Sequence, residues 1–302
     1  MSDAVKRFAI THRTRYRYSD PVAICQNQVM MVPRDLPRVC CHDTVMNIKP
    51  NPTLSHSHFD YYGNLVHTFT IELAHKELSV EVTSDVEVTP TSFPPADKTT
   101  RWEVVRDAIA SGADQHWFEA SEFRFPSPMV TQGNPFASYA LASFVPTRPI
   151  VEATLDLTKR IHRDFKYDTT ATHVDTTAEN AFGLKAGVCQ DFAHIEIACL
   201  RSIGLPARYV SGYLRTLPPP GKPRLIGADN SHAWMSLYAG DALGWIDFDP
   251  TNACMVGTDH VPICVGRDYR DVAPMRGVVL GGGSTDLRVS VDVEPIPLAA
   301  SD

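Results

Sequence analysis

The sequence lacks the marks of several common protein classes. No apolar run approaches the ~20 residues that a bilayer-spanning helix needs, so no membrane association is expected. The opening segment, Met1-Ser2-Asp3-Ala4-Val5-Lys6-Arg7, has no apolar stretch and no small-residue cleavage site behind it, so no secretory leader is expected. Lys and Arg number 28 against 35 Asp and Glu, a net charge of -7, and they form no dense run. An acidic chain without a basic stripe argues against nucleic acid as a partner. There is no Cys-x-x-Cys, which leaves a structural zinc site without support. There is no Gly-x-Ser-x-Gly elbow to supply a serine nucleophile. Gly281-Gly282-Gly283-Ser284 has neither the lysine nor the strand-to-helix setting of a phosphate loop.

Cysteine is present but poorly arranged for disulfides. The seven are Cys25, Cys40, Cys41, Cys189, Cys199, Cys254 and Cys264, an odd number with one adjacent pair. A reducing, cytoplasmic setting fits that pattern. No feature specifies a cofactor or an oligomeric state. The chain has 302 residues, 43% hydrophobic and 21% charged, enough apolar material for two domains.

The first ninety residues read as strands. Arg13, Arg15 and Arg17 alternate with Thr14, Tyr16 and Tyr18, the period-two pattern of a half-buried strand. Leu78, Val80, Val82, Val86 and Val88 alternate with polar residues, and Leu65 to Leu73 gives another run after a turn at Tyr62-Gly63-Asn64. An antiparallel, sandwich-like domain is expected over residues 1–90. Residues 91–148 hold a Pro-rich linker and a helix from Trp102 to Ala110, with Thr100 and Glu103 spaced as a capping box. Residues 149–265 should carry a helix from Pro149 to Phe165, a short one capped by Thr176, and a third from Cys189 to Ile203. Phe192, Ile195, Cys199 and Ile203 recur at three and four, and Gly204 and Pro206 end that helix. Strands follow over Ala207 to Leu214, Ala233 to Tyr238 and Gly244 to Phe248, with a loop at Pro218-Pro219-Pro220-Gly221. Residues 266–302 hold a loop and the alternating strand Leu287, Val289, Val291, Val293.

Three polar residues stand out by position. Cys189 begins a buried helix just after Gly187-Val188, where free N–H groups and the helix dipole favour an anion. That placement favours a thiolate and offers the Cys189 N–H to an oxyanion. His232 stands at the start of a strand and could act as acid and base. A carboxylate on its other ring nitrogen would fix its tautomer. Asp249 ends the next strand. Asp247 shares its face and is an alternative on periodicity. Gln190, directly after the thiol, is a further oxyanion candidate. His194 falls about 140° around the helix from Cys189 and should face elsewhere. His56 and His58 are best read as solvated rather than as a metal pair. No metal site is expected.

Four segments carry a resemblance. Gly187-Val188-Cys189-Gln190-Asp191-Phe192, Gly204-Leu205-Pro206-Ala207-Arg208-Tyr209, Ser231-His232-Ala233-Trp234 and Gly244 through Asp249-Pro250-Thr251 resemble the transglutaminase-like superfamily. Tyr16-Arg17-Tyr18, Asp60-Tyr61-Tyr62-Gly63-Asn64 and Gly266-Arg267-Asp268-Tyr269-Arg270-Asp271 resemble a bacterial branch of it. The resemblance implies an α+β, papain-like core with a helix-borne Cys and an antiparallel sheet bearing His and Asp. It implies a triad of Cys189, His232 and Asp249, which favours Asp249 over Asp247. It also makes Asp191, Trp234 and Tyr269 candidates for the substrate or oxyanion region. Animal members use an upstream Trp as oxyanion donor, whereas Trp117 here lies far from Cys189. The activity so implied is acyl transfer on amide bonds of a protein or peptide, by hydrolysis first and transamidation second. A non-catalytic binding module on the same fold is the rival from another class, and a metalloenzyme a more distant one.

Overall fold

A computed structural model of the chain describes residues 4–114, 116–216 and 230–297. The proline-rich loop at residues 218–221 lies outside the described residues. Strand β1 (Lys6–Val29) runs for 24 residues and organises the N-terminal region. It is joined by β2 (Val39–Lys49), β3 (Leu54–Phe59), β4 (Leu65–Ile71) and β5 (His75–Val88). The first half of β1 pairs with β5, and β5 with β2; the second half pairs with β4, and β4 with β3. All of these pairs are antiparallel. The register breaks between Arg17 and Val22, where β1 passes from one set of partners to the other.

The alternation in β5 is real burial: Leu78, Val80, Val82, Val86 and Val88 face inward. One stripe serves two cores. Leu78, Val80 and Val82 meet Phe69, Ile71 and Val22 inside the N-terminal region. Val86 and Val88, with Phe8 and Ile10, join the larger core that contains the helices.

The helices follow in order: α1 (Trp102–Ser111), α2 (Trp117–Ser121), α3 (Asn134–Leu141), α4 (Ile150–Asp164), α5 (Ala178–Leu184) and α6 (Cys189–Ser202). The short strands β6 (Lys166–Tyr167) and β7 (Ala186–Gly187) pair in parallel ahead of α6. Two expected caps differ from what is found. The residue before α1 is Arg101, with no side-chain cap, and Glu103 instead accepts a hydrogen bond from the Thr147 N–H at 2.7 Å. The cap of α5 is Thr177 rather than Thr176, and its hydroxyl accepts from the Asn180 N–H. In each case the neighbouring residue holds the extended backbone that a cap requires.

The core sheet contains β8 (Ala207–Leu214), β9 (Asn230–Tyr238), β10 (Trp245–Asp249), β11 (Cys254–Met255) and β12 (His260–Gly266), ordered β11-β10-β9-β8-β12. Helix α6 lies against this sheet, burying Ala193, Ile197 and Leu200 with Met235 and Leu237 of β9. After α7 (Tyr269–Val272), β13 (Met275–Gly281) and β14 (Thr285–Ile296) return to the N-terminal sheet and pair with β1. Among the described residues no helix is long and apolar enough to cross a membrane.

The turn between β3 and β4 fastens the N-terminal sheet to the core. Asp60 accepts from the N–H groups of Tyr62 and Asn64, which folds the turn. Asn64, fully buried, then donates to the Val265 carbonyl and accepts from the Val265 N–H, both at 2.8 Å. Replacing Asn64 with Ala leaves both backbone groups buried and unpaired. We expect a loss of about 2–6 kcal/mol, each orphaned group contributing ~1–3, read as a lower urea midpoint with an unchanged slope.

Candidate active site

The site is built where the front of α6 meets the ends of β9 and β10. Gly187 and Val188 bring the chain into α6, and Cys189 is its first residue. Asp191, two residues on, is almost wholly buried. Its Oδ2 accepts from the Val188 N–H at 2.8 Å and from the Thr172 hydroxyl at 2.6 Å. A Cβ on residue 187 would run into the Asp191 carboxylate, so only glycine leaves room for this clasp. Asp191 therefore points behind the helix start and holds it, rather than reaching toward substrate. Gln190 is tied to the preceding loop, its amide donating to the Val174 carbonyl at 2.9 Å.

His232 lies on β9, opposite Gly212 of β8. Its Nε2 is 2.7 Å from Asp249 Oδ2, and the Cys189 thiol lies close enough to the ring to help raise its pKa. With Nε2 taken, Nδ1 is the ring nitrogen left for the sulfur. The β9–β10 hairpin aligns Trp245 with Tyr238 and Phe248 with Met235, so Asp249 is not directly across from His232. It reaches the imidazole diagonally from the strand end. Asp247 goes elsewhere: its Oδ2 accepts from Trp234 Nε1 at 3.1 Å and stands 3.5 Å from Arg38 Nη2. The choice between the two carboxylates that periodicity left open is thus made by position along β10.

Asp249 is fully buried and takes five hydrogen bonds. Oδ1 accepts from the N–H groups of Thr251 and Asn252 at 2.9 and 3.1 Å. Oδ2 accepts from His232, from Asn252 Nδ2 at 2.7 Å and from His260 Nε2 at 3.1 Å. Burial alone would raise its pKa, but the two imidazoles outweigh that and hold it far below the usual carboxylate range. For His232, burial lowers the pKa, and the bonds to Asp249 and Cys189 more than reverse it, to about 10. Glu196 on α6 is a second buried carboxyl nearby. Burial pushes its pKa well up, the Thr158 hydroxyl at 2.6 Å opposes this only in part, and the charge of Asp249 adds to the rise. The two buried carboxyls are thus pushed in opposite directions, Glu196 toward its neutral form and Asp249 toward the charged form that His232 meets.

His260 and Asn252 are parts of this constellation that sequence reasoning missed. His260 sits on β12, with its Nδ1 accepting from the Gly257 N–H at 3.4 Å. That contact leaves the proton on Nε2, aimed at Asp249. The donor atoms of His232, Asp249 and His260 lie within 4.8 Å of one another. The contacts of 2.7 and 3.1 Å to one carboxylate oxygen are hydrogen-bond lengths, and neighbouring ligands of a tetrahedral zinc at ~2.0–2.1 Å from the metal stand farther apart than 2.7 Å.

The other candidates form the surroundings. Trp234 is fully buried and lies edge-on to His260, with ring centroids 5.3 Å apart. Gly212 has no side chain because the Trp234 ring crosses it. Tyr269 is part-buried, its ring 6.4 Å from that of Tyr209, and its N–H donates to His194 Nε2 at 3.1 Å. His194 is wholly buried, and burial lowers its pKa to about 4, which suits its role as acceptor from the Tyr269 N–H. His56 and His58 stack on each other in the open. Trp117 is exposed at the start of α2.

A helix-borne thiol facing an imidazole and carboxylate on an antiparallel sheet defines a class: the papain-like, thiol-bearing α+β proteins. Within it, residues 8–87 match the bacterial transglutaminase-like N-terminal region and residues 140–250 the transglutaminase-like superfamily. An uncharacterized protein of Mycobacterium tuberculosis is 39% identical over 300 residues, 96% of this chain and 93% of that protein. The chain belongs to the transglutaminase-like superfamily, in the bacterial branch that carries this N-terminal region. The fold is shared with a Cytophaga hutchinsonii protein described as a candidate cysteine protease, at a TM-score of 0.77, 20% identity, and coverage of 99% of this chain and 93% of that one. A shorter match, 33% identical over 93 residues, links 30% of this chain to 14% of the protein-glutamine gamma-glutamyltransferase of Pseudomonas aeruginosa. Membership supports thiol-dependent catalysis as chemistry of the family.

The clasp under Cys189 makes a direct prediction. Gly187→Ala forces Asp191 off the Val188 N–H, and we expect ~1–3 kcal/mol of destabilisation together with slower alkylation of Cys189. Alkylation timed by intact mass on the folded variant separates this loss of positioning from global unfolding.

Proposed function

We propose that the chain hydrolyses an amide bond in a peptide or protein through a thioester on Cys189. The reading is supported by the buried His232–Asp249 pair, 2.7 Å apart, with the Cys189 thiol at the front of α6 beside that imidazole. The thiolate attacks the carbonyl carbon, and the oxyanion that forms meets the Cys189 N–H at the free front of α6. The C–N bond breaks as the protonated His232 gives its proton to the departing amine. Water then adds to the thioester while His232 takes its proton. Collapse releases the acid and restores the thiolate. Asp249 keeps the imidazole in the tautomer this sequence needs. His260 and Asn252 hold Asp249 in turn, and no cofactor enters any step. A cytoplasmic site of action is part of the same proposal.

Water as acceptor is favoured because a cross-linking enzyme must exclude it. Transamidation is the second reading, motivated by the partial match to a glutamyltransferase. Incubation with a glutamine-containing peptide and a primary amine, followed by mass spectrometry, separates cleavage, deamidation and amine adducts. Cys189→Ala and His232→Ala should each cost on the order of 10⁴-fold or more, and Asp249→Asn no more than they do. Full turnover by Cys189→Ala would sink the proposal, and EDTA should leave the rate unchanged.

The pH dependence follows from His232. Its raised pKa stabilises the fold fully below about 6.5, and that contribution fades as pH climbs through about 10. The proton donated to the amine is lost over the same upper range. The alkaline limb of kcat/KM should therefore lie near 10 in the native protein and move to lower pH in Asp249→Asn, which removes a group that raises the His232 pKa.

A further inference from the structure

Behind the catalytic strands, on the side covered by the N-terminal region, lies a cavity of about 410 Å³. Its wall takes Arg34 and Arg38 from the segment after β1, Arg208 from β8, and Trp245 and Asp247 from β10. None of Cys189, His232 and Asp249 lines it. The volume is within the ~300–1,000 Å³ usual for small-molecule sites.

Its charge runs against the rest of the chain. A protein of net charge -7 here gathers three guanidiniums around one carboxylate. That carboxylate, Asp247, is already engaged by the Trp234 indole and forms an ion pair with Arg38 at 3.5 Å, which leaves Arg34 and Arg208 in excess. Arg34 is fixed in place, Nη1 donating to the Tyr62 carbonyl at 3.1 Å and to Asn64 Oδ1 at 2.6 Å. Arg208 lies over the Trp245 ring, 4.1 Å from its centroid. The N–H groups at Arg208 Nε and Arg38 Nη2 are buried with no hydrogen-bond partner among the described residues. Burial lowers the Arg208 pKa to about 10, with Asp247 opposing and Arg34 adding repulsion. The unpartnered Arg208 Nε and the repulsion between Arg34 and Arg208 are costly, and an anion would relieve both. Apart from Thr91 the remaining wall is apolar, including Leu36, Phe93, Leu243 and Val256.

We propose that this cavity binds a small organic carboxylate with an apolar body. A carboxylate matches the planar donors of arginine in a bidentate pair, and the aliphatic and aromatic wall takes the body. The site is distinct from the catalytic row but joined to it by one side chain. Trp234 donates to Asp247 on the cavity side and lies edge-on to His260 on the other.

The test uses the full chain and isothermal titration calorimetry with 4-phenylbutyrate, its neutral amide 4-phenylbutyramide, and inorganic phosphate. The carboxylate should bind one to one, at least about tenfold more tightly than either comparison ligand, a ratio of about 1.4 kcal/mol. Arg38→Gln and Arg208→Gln should each weaken it about tenfold or more. Arg38 is only part-buried, so its variant keeps the test valid if Arg208→Gln does not fold. Cys189→Ala should bind as the native protein does, which separates this site from the catalytic proposal. Equal binding of acid and amide, full binding by Arg38→Gln with a native melting curve, or no saturable heat in the millimolar range would overturn the assignment. Phosphate binding as tightly as the carboxylate would overturn the role given to the apolar wall.

Discussion

A carboxylate removed wholly from water is costly, by several kcal/mol even after the protein relaxes. Asp249 is buried in this way, and the surrounding architecture supplies what makes the position tenable. Two donors come from the backbone just past β10, one from Asn252, and two from imidazoles on different strands. Removing the strand that carries His260, or shifting β9 by one residue, would leave the charge short of partners. The order β11-β10-β9-β8-β12 is thus the arrangement that brings both histidines to one oxygen. Glu196, equally buried but with few donors, is instead pushed toward its neutral form by burial.

Much of this was legible along the chain because the cues are local. The three-and-four spacing of Phe192, Ile195 and Cys199, with Gly204 and Pro206 behind it, fixed α6 and put Cys189 at its front. The alternations in β5 and β14 gave strands in the right places. The clasp that Asp191 makes was not legible because capping boxes are sought as Ser or Thr followed by Glu or Gln. Here the residue ahead of the helix is Val188, and the carboxylate reaches back to a bare backbone N–H. Nothing local marks His260. Its approach to Asp249 depends on β12 crossing to the far side of β8, a long-range pairing that a linear reading does not reveal. The same holds for Asn64, whose turn was evident but whose two bonds to Val265 join segments 201 residues apart.

The N-terminal region is more than an appendage to the catalytic core. Its β5 stripe enters both apolar clusters, and its β3–β4 turn holds Val265 on β12, the strand of His260. Arg34 bonds to that same turn, so one buried asparagine ties the domain junction to the cationic cavity wall. Rigidity is thereby shared between the thiol site and the surface behind it.

The long first strand carries a consequence for biosynthesis. Arg7 lies across from Ile296 and Tyr18 from Thr285, so one flank of β1 stays bare until residues 285–296 have left the ribosome. A nascent chain of this kind carries an open hydrogen-bonding edge beside apolar residues such as Phe8 and Ile10, the kind of surface that invites strand exchange with neighbours. Termination after α6 but before β14 would therefore yield sticky fragments that still hold the helix bearing Cys189.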